Sequence, residues 1–519
     1  MKLRKHILKN CICFFLLLTV LCGCQHQSDV PKDEPLTATD AAVNTSKVTI
    51  GAYGSEEENP LLVRTNYNEQ MNFLIYDSLY TINSKFEAEE NLAAGYEIQN
   101  SGYSVTVYLK PNVVFHDGSA LTAQDVKSTI SFIKENQGYY SYHTRNIQSV
   151  SVIDDTTLQL ELSYLTPNLK LQLTFPILCK KQLLSQPDFS LNGTGPYQVA
   201  SQTKGKQIIL EKNKNYHGKF SSNIKTIEVS LIPDREAARS LAGSGMLDIF
   251  YSAFFDEGLK SVTKYESYKS DYLTDEYTFL TFNFNSPHIG EKKFRKALYQ
   301  AVSRDKIKDD IFMTHAESTY LPLPPGSWAY NDSKENVRNI DESKRLLSEL
   351  GYSDVDNNTI IEIYGEEDKQ EVVFHLLSID DPTKKAICEQ LISDFKEIGI
   401  GLQVTYVTKE EFPTVYGEQL HDLYLITTNI GYDLDPKNFF DGLFSAPVGI
   451  QYDSYLKKFA TADKLELKQP EFMRLCDEFY ETIPHIPLVF LKNTMLTGEK
   501  VGEVSDISPS HLYNSVLKK

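Results

Sequence analysis

The long apolar run of this 519-residue chain lies at its start, over residues 11–20. It follows four basic residues, Lys2, Arg4, Lys5 and Lys9. A helix needs about 20 apolar residues to cross a bilayer core, so a run this short cannot span one. A basic start followed by a short apolar segment is typical of an export signal. The sequence therefore excludes a membrane protein with several spans and predicts an exported globular body.

The signal ends in Leu21-Cys22-Gly23-Cys24, which resembles the lipobox of bacterial lipoproteins. In that family, the cysteine at the position of Cys24 carries the lipid. The resemblance implies a signal peptide over residues 1–23 and an acyl anchor, including palmitate, on Cys24. A protein with two or more acyl chains stays on a membrane, whereas one chain binds only marginally. We therefore expect a lipid-anchored protein on the extracytoplasmic face of the cell membrane; the alternative is an ordinary secretory signal without an anchor.

Composition limits what the remainder can be. Residues 24–46 are polar and contain two prolines, which predicts a flexible tether. The whole chain is 41% hydrophobic and 24% charged, as in an ordinary globular protein. A net charge of −18 without a long lysine and arginine cluster argues against a nucleic-acid partner. Three cysteines remain in the body, and their odd number and wide spacing favour small buried side chains, with one disulfide left open: Cys179, Cys388 and Cys476.

Alternating strand-like and helix-like segments predict a mixed α/β class. Residues 103–109 and 157–162 alternate apolar and polar side chains, which indicates half-buried strands. Another strand is expected before Pro233, with Asp234 as the cap of the next helix. Further helices are predicted after Thr122-Ala123-Gln124-Asp125, which is similar to a capping box, over residues 294–302, over 341–351 and before Gly399.

The sequence contains no complete catalytic or cofactor motif. Gly205-Lys206 and Gly218-Lys219 lack the following Ser or Thr of a phosphate-binding loop, and Gly193-Thr194-Gly195 lacks the third glycine of a dinucleotide site. The eleven histidines are scattered without metal-ligand spacing. Asp433 and Asp435 form a candidate carboxylate pair, but such pairs more often lie at a solvated loop edge. We therefore expect no enzyme activity, no cofactor and no metal.

Several segments occur in the same order as in one known family. They are residues 47–60, 92–96, 108–118 with 121–126, 193–197 with 215–216, 294–307 and 486–488. These segments resemble the solute-binding proteins of oligopeptide, dipeptide and nickel ABC importers, family 5, and the resemblance covers nearly all of the chain beyond residue 46.

This resemblance implies a two-lobed, periplasmic-binding-protein-like fold with an extra subdomain in the first lobe. The core of the first lobe is expected to combine residues 47–82, 186–278 and 490–519, and residues 83–185 would form the inserted subdomain. The second lobe would comprise residues 279–489. Strands crossing between the lobes are expected near residues 279–285 and 486–491.

The resemblance also implies a ligand site in the cleft, from two segments. One contains Arg64, Thr65 and Asn66; the other contains Thr428, Asn429, Ile430, Gly431, Tyr432 and Asp433. Peptide-binding relatives hold the ligand's amino group with an Asp four residues before a Pro. The matching proline is Pro436, and Tyr432 takes that place, with Asp433 one residue further along. Which of the two replaces the Asp stays open, as does a cleft position for the single tryptophan, Trp328.

The predicted function is a solute-binding receptor that captures peptides, either oligopeptides or dipeptides, in an interlobe cleft. Its partners would be an ABC permease with its ATPase subunits and the membrane, through the lipid anchor, and the receptor would be a monomer. Three alternatives stay open. They are a receptor for nickel or a metallophore, a sensor lipoprotein without a transport role, and a hydrolase on the same scaffold.

Overall fold

A computed structural model describes residues 46–53, 59–62, 66–136, 138–185, 189–219, 222–253, 267–334, 338–364, 369–435 and 452–517. Strands and helices are interspersed through these ranges. The strands are β1 Lys47–Tyr53, β2 Tyr80–Ile82, β3 Ala88–Glu90, β4 Ala93–Gln99, β5 Ser104–Leu109, β6 Ile147–Asp154, β7 Thr157–Leu162, β8 Tyr197–Thr203, β9 Gln207–Lys212, β10 Thr226–Ile232, β11 Ile249–Ala253, β12 Ser267–Phe282, β13 Ala316–Ser318, β14 Glu362–Tyr364, β15 Lys369–Glu371, β16 Val373–Ile379, β17 Gly401–Val407, β18 Leu423–Asn429 and β19 His485–Gly498.

The α-helices of four residues or more alternate with these strands along the chain. They are α1 Asn66–Ile75, α2 Ala123–Asn136, α3 Ser141–Thr144, α4 Leu169–Gln172, α5 Lys180–Leu183, α6 Arg235–Gly243, α7 Lys292–Ala301, α8 Ile340–Glu349, α9 Pro382–Glu397, α10 Phe412–Gly417, α11 Tyr452–Thr461, α12 Leu465–Thr482 and α13 Leu512–Leu517. Among the described residues, no helix is both long enough and apolar enough to cross a membrane.

Eleven of the described strands form one mixed sheet that runs through both halves of the body. Its order is β17-β16-β18-β12-β19-β11-β1-β10-β9-β8, and β13 pairs with β19. β1 runs parallel to β10, and β16 runs parallel to β17 and β18. The two longest strands, β12 and β19, pair antiparallel at the centre of this order. The mixed α/β class predicted from the sequence is confirmed.

Buried apolar side chains form three cores. The first contains β1, β10 and β11 together with the end of β19, and the second contains α7, α9 and β16. The third contains Phe86 and Leu165 from the segment before β12, packed with Trp328 and Phe472 from the segment after it. The first and second cores are the two lobes, and β12 and β19 contribute side chains to both.

The strands that cross between the lobes are longer than the sequence indicated. β12 begins at Ser267 and ends at Phe282, so the strand expected over residues 279–285 is wrong at both ends. Beyond it, the Asn283 amide donates to the carbonyls of Gln419 and His421, both at 2.9 Å, and the chain turns. The second expected strand, 486–491, lies inside β19.

Residues 83–185 contain a sheet of their own, in the order β4-β5-β7-β6. Helix α2 covers it, and Asp125 Oδ2 accepts hydrogen bonds from the backbone N–H and the hydroxyl of Thr122, both at 2.8 Å. The carboxylate therefore reaches back as in a capping box, although the hydroxyl of Thr122 donates to it instead of accepting from the backbone. The predicted cap Asp234 is confirmed, since it accepts from the backbone N–H of Ala237 at 2.8 Å.

The Gly193-Thr194-Gly195 segment serves packing. A Cβ on Gly193 would lie 2.0 Å from the carbonyl oxygen of Ile75, at the end of α1. The hydroxyl of Thr194 donates to buried Asp77 at 3.0 Å, and His217 Nε2 lies 3.0 Å from the same carboxylate. Burial alone would raise the pKa of Asp77, but hydrogen bonds from His217, Asn91 and Thr194 outweigh it and hold the pKa below its usual value.

The three cysteines of the body, Cys179, Cys388 and Cys476, are buried, and none forms a disulfide within the described residues. Free cysteine packs as a small apolar side chain, which agrees with the interpretation of their spacing. Cys24 and the tether lie outside the described residues.

Candidate functional site

A cavity of about 300 Å³ is lined by residues from five parts of the chain. They are α1, residues 83–185 (called the inserted segment below), strand β12, the end of β18 with the loop that follows it, and the segment before α13. The lining residues are Gln70, Tyr139, Tyr142, His143, Leu171, Gln172, Asp275, Asn429, Ile430, Gly431, Tyr432, Asp433 and Pro509. The volume is at the lower end of the range for small-ligand sites.

The structure brings five predicted residues to this cavity, those from Asn429 to Asp433. Thr428 is not among the lining residues; it lies in β18, paired with Tyr277 of β12. Arg64 and Thr65 lie outside the described residues, and Asn66 is the first residue of α1. Gln70, one turn further along that helix, does line the cavity. Ligand contact by any of these side chains stays a prediction.

The loop after β18 turns at Gly431, whose φ of +82° lies in the left-handed region that glycine adopts without strain. The turn directs Asp433 inward, and its carboxylate is only 2% exposed. Three side chains of the inserted segment bind that carboxylate: Tyr142 Oη at 3.0 and 3.1 Å, Gln172 Nε2 at 3.0 Å and Arg145 Nη2 at 3.4 Å. The negative charge of Asp433 is therefore compensated within the protein.

Arg145 joins the two acids that the sequence singled out. Its Nη2 lies 3.4 Å from Asp433 and 3.4 Å from Asp435, and its guanidinium stacks 3.4 Å from the centre of the Tyr142 ring. Burial disfavours the cation, but Asp433, Tyr142 and Asp435 raise the pKa of Arg145 above its usual value. The carboxylate pair is thus an ion-pair cluster instead of the solvated loop edge expected from the sequence.

Asp275 is the other carboxylate in the cavity wall. It lies in β12 where the pairing with β19 shifts register, between Leu273 and Tyr277, and it is 7% exposed. Its oxygens accept from Asn429 Nδ2 at 2.9 Å and from the backbone N–H of Gly431 at 3.1 Å. Burial, together with nearby Asp433, raises its pKa. Within the described part of the chain, no cationic side chain pairs with it.

Two neutral acceptors line the same cavity. His143 Nδ1 donates to the carbonyl oxygen of Gln172 at 2.8 Å, which leaves Nε2 as an acceptor in the neutral ring. Burial lowers the pKa of His143 and so favours that neutral form. The carbonyl oxygen of the Gln172 side chain is buried and has no hydrogen-bond partner among the described residues.

A second, smaller cavity of about 140 Å³ shares Leu171 with the first. Trp328 lines this one, and its indole N–H donates to the carbonyl oxygen of Phe86 at 3.0 Å. Lys468 also lines it and donates to the carbonyl oxygen of Pro167 at 2.6 Å and to Asn168 at 3.1 Å. Burial lowers the pKa of Lys468 to about 7. Trp328 is therefore a packing residue beside the main cavity.

Acidic oxygens that could share a cation are found elsewhere in the described ranges, on Asp354, Asp356 and Glu362. None of the three lines either cavity. The ammonium of Lys369 lies 2.5 Å from both Asp356 and Glu362, so a protein cation already compensates part of the charge of this group.

The sequence interpretation missed the side chains that the inserted segment and β12 contribute. The run Tyr139-Tyr140-Ser141-Tyr142-His143 was a usable signal, because it places three tyrosines and a histidine within five residues. For Asp275, the signal was the acidic pair Asp275-Glu276, which directly precedes the apolar end of the strand. Their meeting with the loop after β18 depends on tertiary packing, which the sequence pattern does not give.

A cavity formed by distant segments of a mixed α/β body is a typical place for a small-ligand site. Residues 87–449 match the family described as bacterial extracellular solute-binding proteins, family 5. The match covers more than half of the chain, and the chain belongs to this family.

Individual relatives agree with this assignment. The oligopeptide-binding protein AppA of Bacillus subtilis is 26% identical over 309 residues, 56% of each chain, so the matched part spans just over half of that relative. Its structure in complex with a nonapeptide covers 91% of this chain and 98% of its own, at 21% identity and a TM-score of 0.58. The periplasmic murein tripeptide binding protein MppA, in an unliganded open form, covers 91% and 96% at 16% identity, with a TM-score of 0.75. The nickel-binding protein NikA of Staphylococcus aureus is 24% identical over 303 residues, 53% of this chain and 56% of its own.

Proposed function

We propose that this protein is the lipid-anchored receptor of an ABC importer and that it captures peptides in the cavity formed by the two lobes and the inserted segment. The observation that carries the proposal is the cavity itself: the loop after β18 faces polar and aromatic side chains of the inserted segment across it. Family membership supplies the class of function, which is binding a solute without changing its bonds.

Peptide is the solute that the cavity walls favour. Extended peptides are held largely by main-chain hydrogen bonds, which need donors and acceptors in the wall but little sequence preference. Here, acceptors on Asp275, His143 and Gln172 stand among the apolar surfaces of Leu171 and Ile430. Two relatives support the same class, since AppA was solved with a nonapeptide and MppA is named for a murein tripeptide. The volume of about 300 Å³ favours a short peptide.

A nickel complex is the second candidate. A relative is named as nickel-binding, and His143 and Asp275 place one imidazole and one carboxylate in the same cavity wall. Asp433 is a poor additional ligand, because Arg145, Tyr142 and Gln172 already bind its oxygens. A bare ion would therefore find few free ligands, so a nickel solute would be bound as a chelate.

The transport role follows from the mechanism of two-lobed receptors. A solute that contacts both lobes shifts the population toward the closed form, and a membrane permease can recognise that form. We propose an ABC permease with its ATPase subunits as the partner, Cys24 as the acylated anchor, and a monomeric receptor. A sensor lipoprotein without a permease is the alternative, and loss of uptake on deletion of the gene would separate the two.

The proposal is tested by releasing the bound solute. The soluble body, from residue 25 onward, is purified under native conditions and denatured, and the released molecules are identified by mass spectrometry together with elemental analysis for nickel. We expect short peptides and no stoichiometric nickel. Recovery of a nickel complex alone would contradict the peptide assignment, and turnover of added peptides by the purified protein would contradict the receptor function.

A further inference from the structure

The main cavity contains two buried carboxylates, and they differ in how their charge is balanced. Asp433 has the guanidinium of Arg145 at 3.4 Å, together with the hydroxyl of Tyr142 and the amide of Gln172. Among the described residues, Asp275 accepts hydrogen bonds from the side-chain amide of Asn429 and from the backbone N–H groups of Gly431 and of Asp275 itself, and no cationic side chain pairs with it. A buried anion without a cation is costly, so structures normally pair it. Asp275 is the carboxylate whose compensating charge is missing from the described part of the protein.

The neighbours of Asp275 in the cavity wall are also acceptors. The side-chain carbonyl of Gln172 is buried and has no hydrogen-bond donor among the described residues. The ring of His143 is held with Nδ1 as the donor to a backbone carbonyl, so its other nitrogen accepts. One anion and two neutral acceptors in a single cavity match a ligand group that is positively charged and carries several N–H donors.

We propose that Asp275 is the ligand's charge partner and that it binds a primary ammonium group, the free amino terminus of a peptide, with Gln172 and His143 as neighbouring acceptors. This inference rests on the proposed function and extends it. It assigns the binding of the ligand's amino group to a residue of strand β12. Neither Tyr432 nor Asp433 of the loop takes the role of the aspartate that binds this group in peptide-binding relatives. Asp433 instead fixes the loop by its contacts with the inserted segment.

The position of Asp275 suits this task. Asp275 accepts hydrogen bonds from Asn429 at the end of β18 and from Gly431 in the loop that follows, so the carboxylate and this segment hold each other in place. A rigid, preorganised anion loses little entropy when the ligand binds. The register shift in β12 turns this residue out of the regular ladder with β19, which frees its side chain to face the cavity.

The test uses three forms of the same peptides. An equimolar pool of tripeptides is prepared with free, Nα-acetylated and Nα-trimethylated amino termini, and the soluble body is incubated with it, desalted, denatured and analysed by mass spectrometry. Acetylation removes the charge, whereas trimethylation keeps the charge and removes the N–H donors. A hydrogen bond to a charged group contributes about 1.5–3 kcal/mol, which corresponds to about a 10- to 100-fold enrichment of free peptides over both modified forms.

The variant Asp275→Asn should reduce this enrichment at least tenfold, while Asp271→Asn, on the same strand but bonded to Thr494 outside the cavity, should keep it. Unchanged enrichment with folded Asp275→Asn would overturn the inference and leave the receptor function intact. If Asp275→Asn does not fold, the unmodified protein still decides: equal capture of all three forms would overturn the inference. If no form of peptide is captured, the proposed function itself fails.

Discussion

The ion-pair cluster around Arg145 supports a quantitative prediction for the variant Arg145→Gln. The change removes the guanidinium from Asp433, which is 2% exposed and keeps only the hydroxyl of Tyr142 and the amide of Gln172. Removing one partner of a fully buried ion pair costs about 3–5 kcal/mol. The Arg145 side chain is 23% exposed and its distance to Asp433 is 3.4 Å, so solvent screening lowers the expected cost to about 2 kcal/mol.

Hydrogen exchange followed by mass spectrometry measures this cost locally. A loss of about 2 kcal/mol in opening free energy accelerates exchange about 30-fold, and we expect that acceleration in the segments 141–145 and 428–435. The matched control is Arg474→Gln, which breaks an exposed helical pair with Glu471 at 2.7 Å and should change exchange less than threefold. Equal exchange in the two variants would show that the ion-pair cluster does not hold the loop after β18.

Three further outcomes can be checked directly. Gly193→Ala places a methyl group 2.0 Å from the Ile75 carbonyl oxygen and should lower the free energy of unfolding by about 2–3 kcal/mol, measured by thermal unfolding. The control is Gly290→Ala, which should change thermal unfolding little because the added methyl group meets no atom within 4 Å. The pKa of Asp77 is lower in the folded protein than in the unfolded chain, where it is near 3.8, so its ionised form stabilises the fold above that pH, and this stability is lost as the pH falls through the folded pKa. Asp77→Asn should therefore reduce the decline of the melting temperature with falling pH. An equally steep decline in this variant would contradict the stabilising role of Asp77. Cys24→Ser should move the protein from the membrane fraction to the medium, and retention on the membrane would refute the lipid anchor.

The sequence predicted much of the fold because local signals were strong. Apolar alternation predicted β7 with its observed bounds, and Asp234 predicted the start of α6. The glycines that follow α8 and α9 have the positive φ expected at a helix end, +89° at Gly351 and +80° at Gly399. The limits of β12 could not be obtained this way. Its first half is paired to β19 within the first lobe, and that long-range pairing, more than local propensity, determines where the strand begins.

The candidate site was predictable only as one segment. Residues 429–433 were found through the resemblance, and they line the cavity. The ion pair of Asp433 was not predictable, because Arg145 lies 288 positions earlier in the chain. Likewise, nothing near Asp275 in the sequence indicates that the backbone of Gly431 caps its carboxylate. Electrostatic compensation is a property of three-dimensional neighbours, so a sequence can suggest an acid and still leave its partner unknown.

The antiparallel pairing of β12 with β19 has a mechanical consequence. Both strands pass through two hydrophobic cores, with Tyr272 and Met495 in one and Leu280 and Ile486 in the other. Unfolding of either core alone would break backbone hydrogen bonds between β12 and β19, and these bonds also stabilise the other core. The lobes can therefore twist about this shared pair of strands, but we expect them to unfold together as a single cooperative unit.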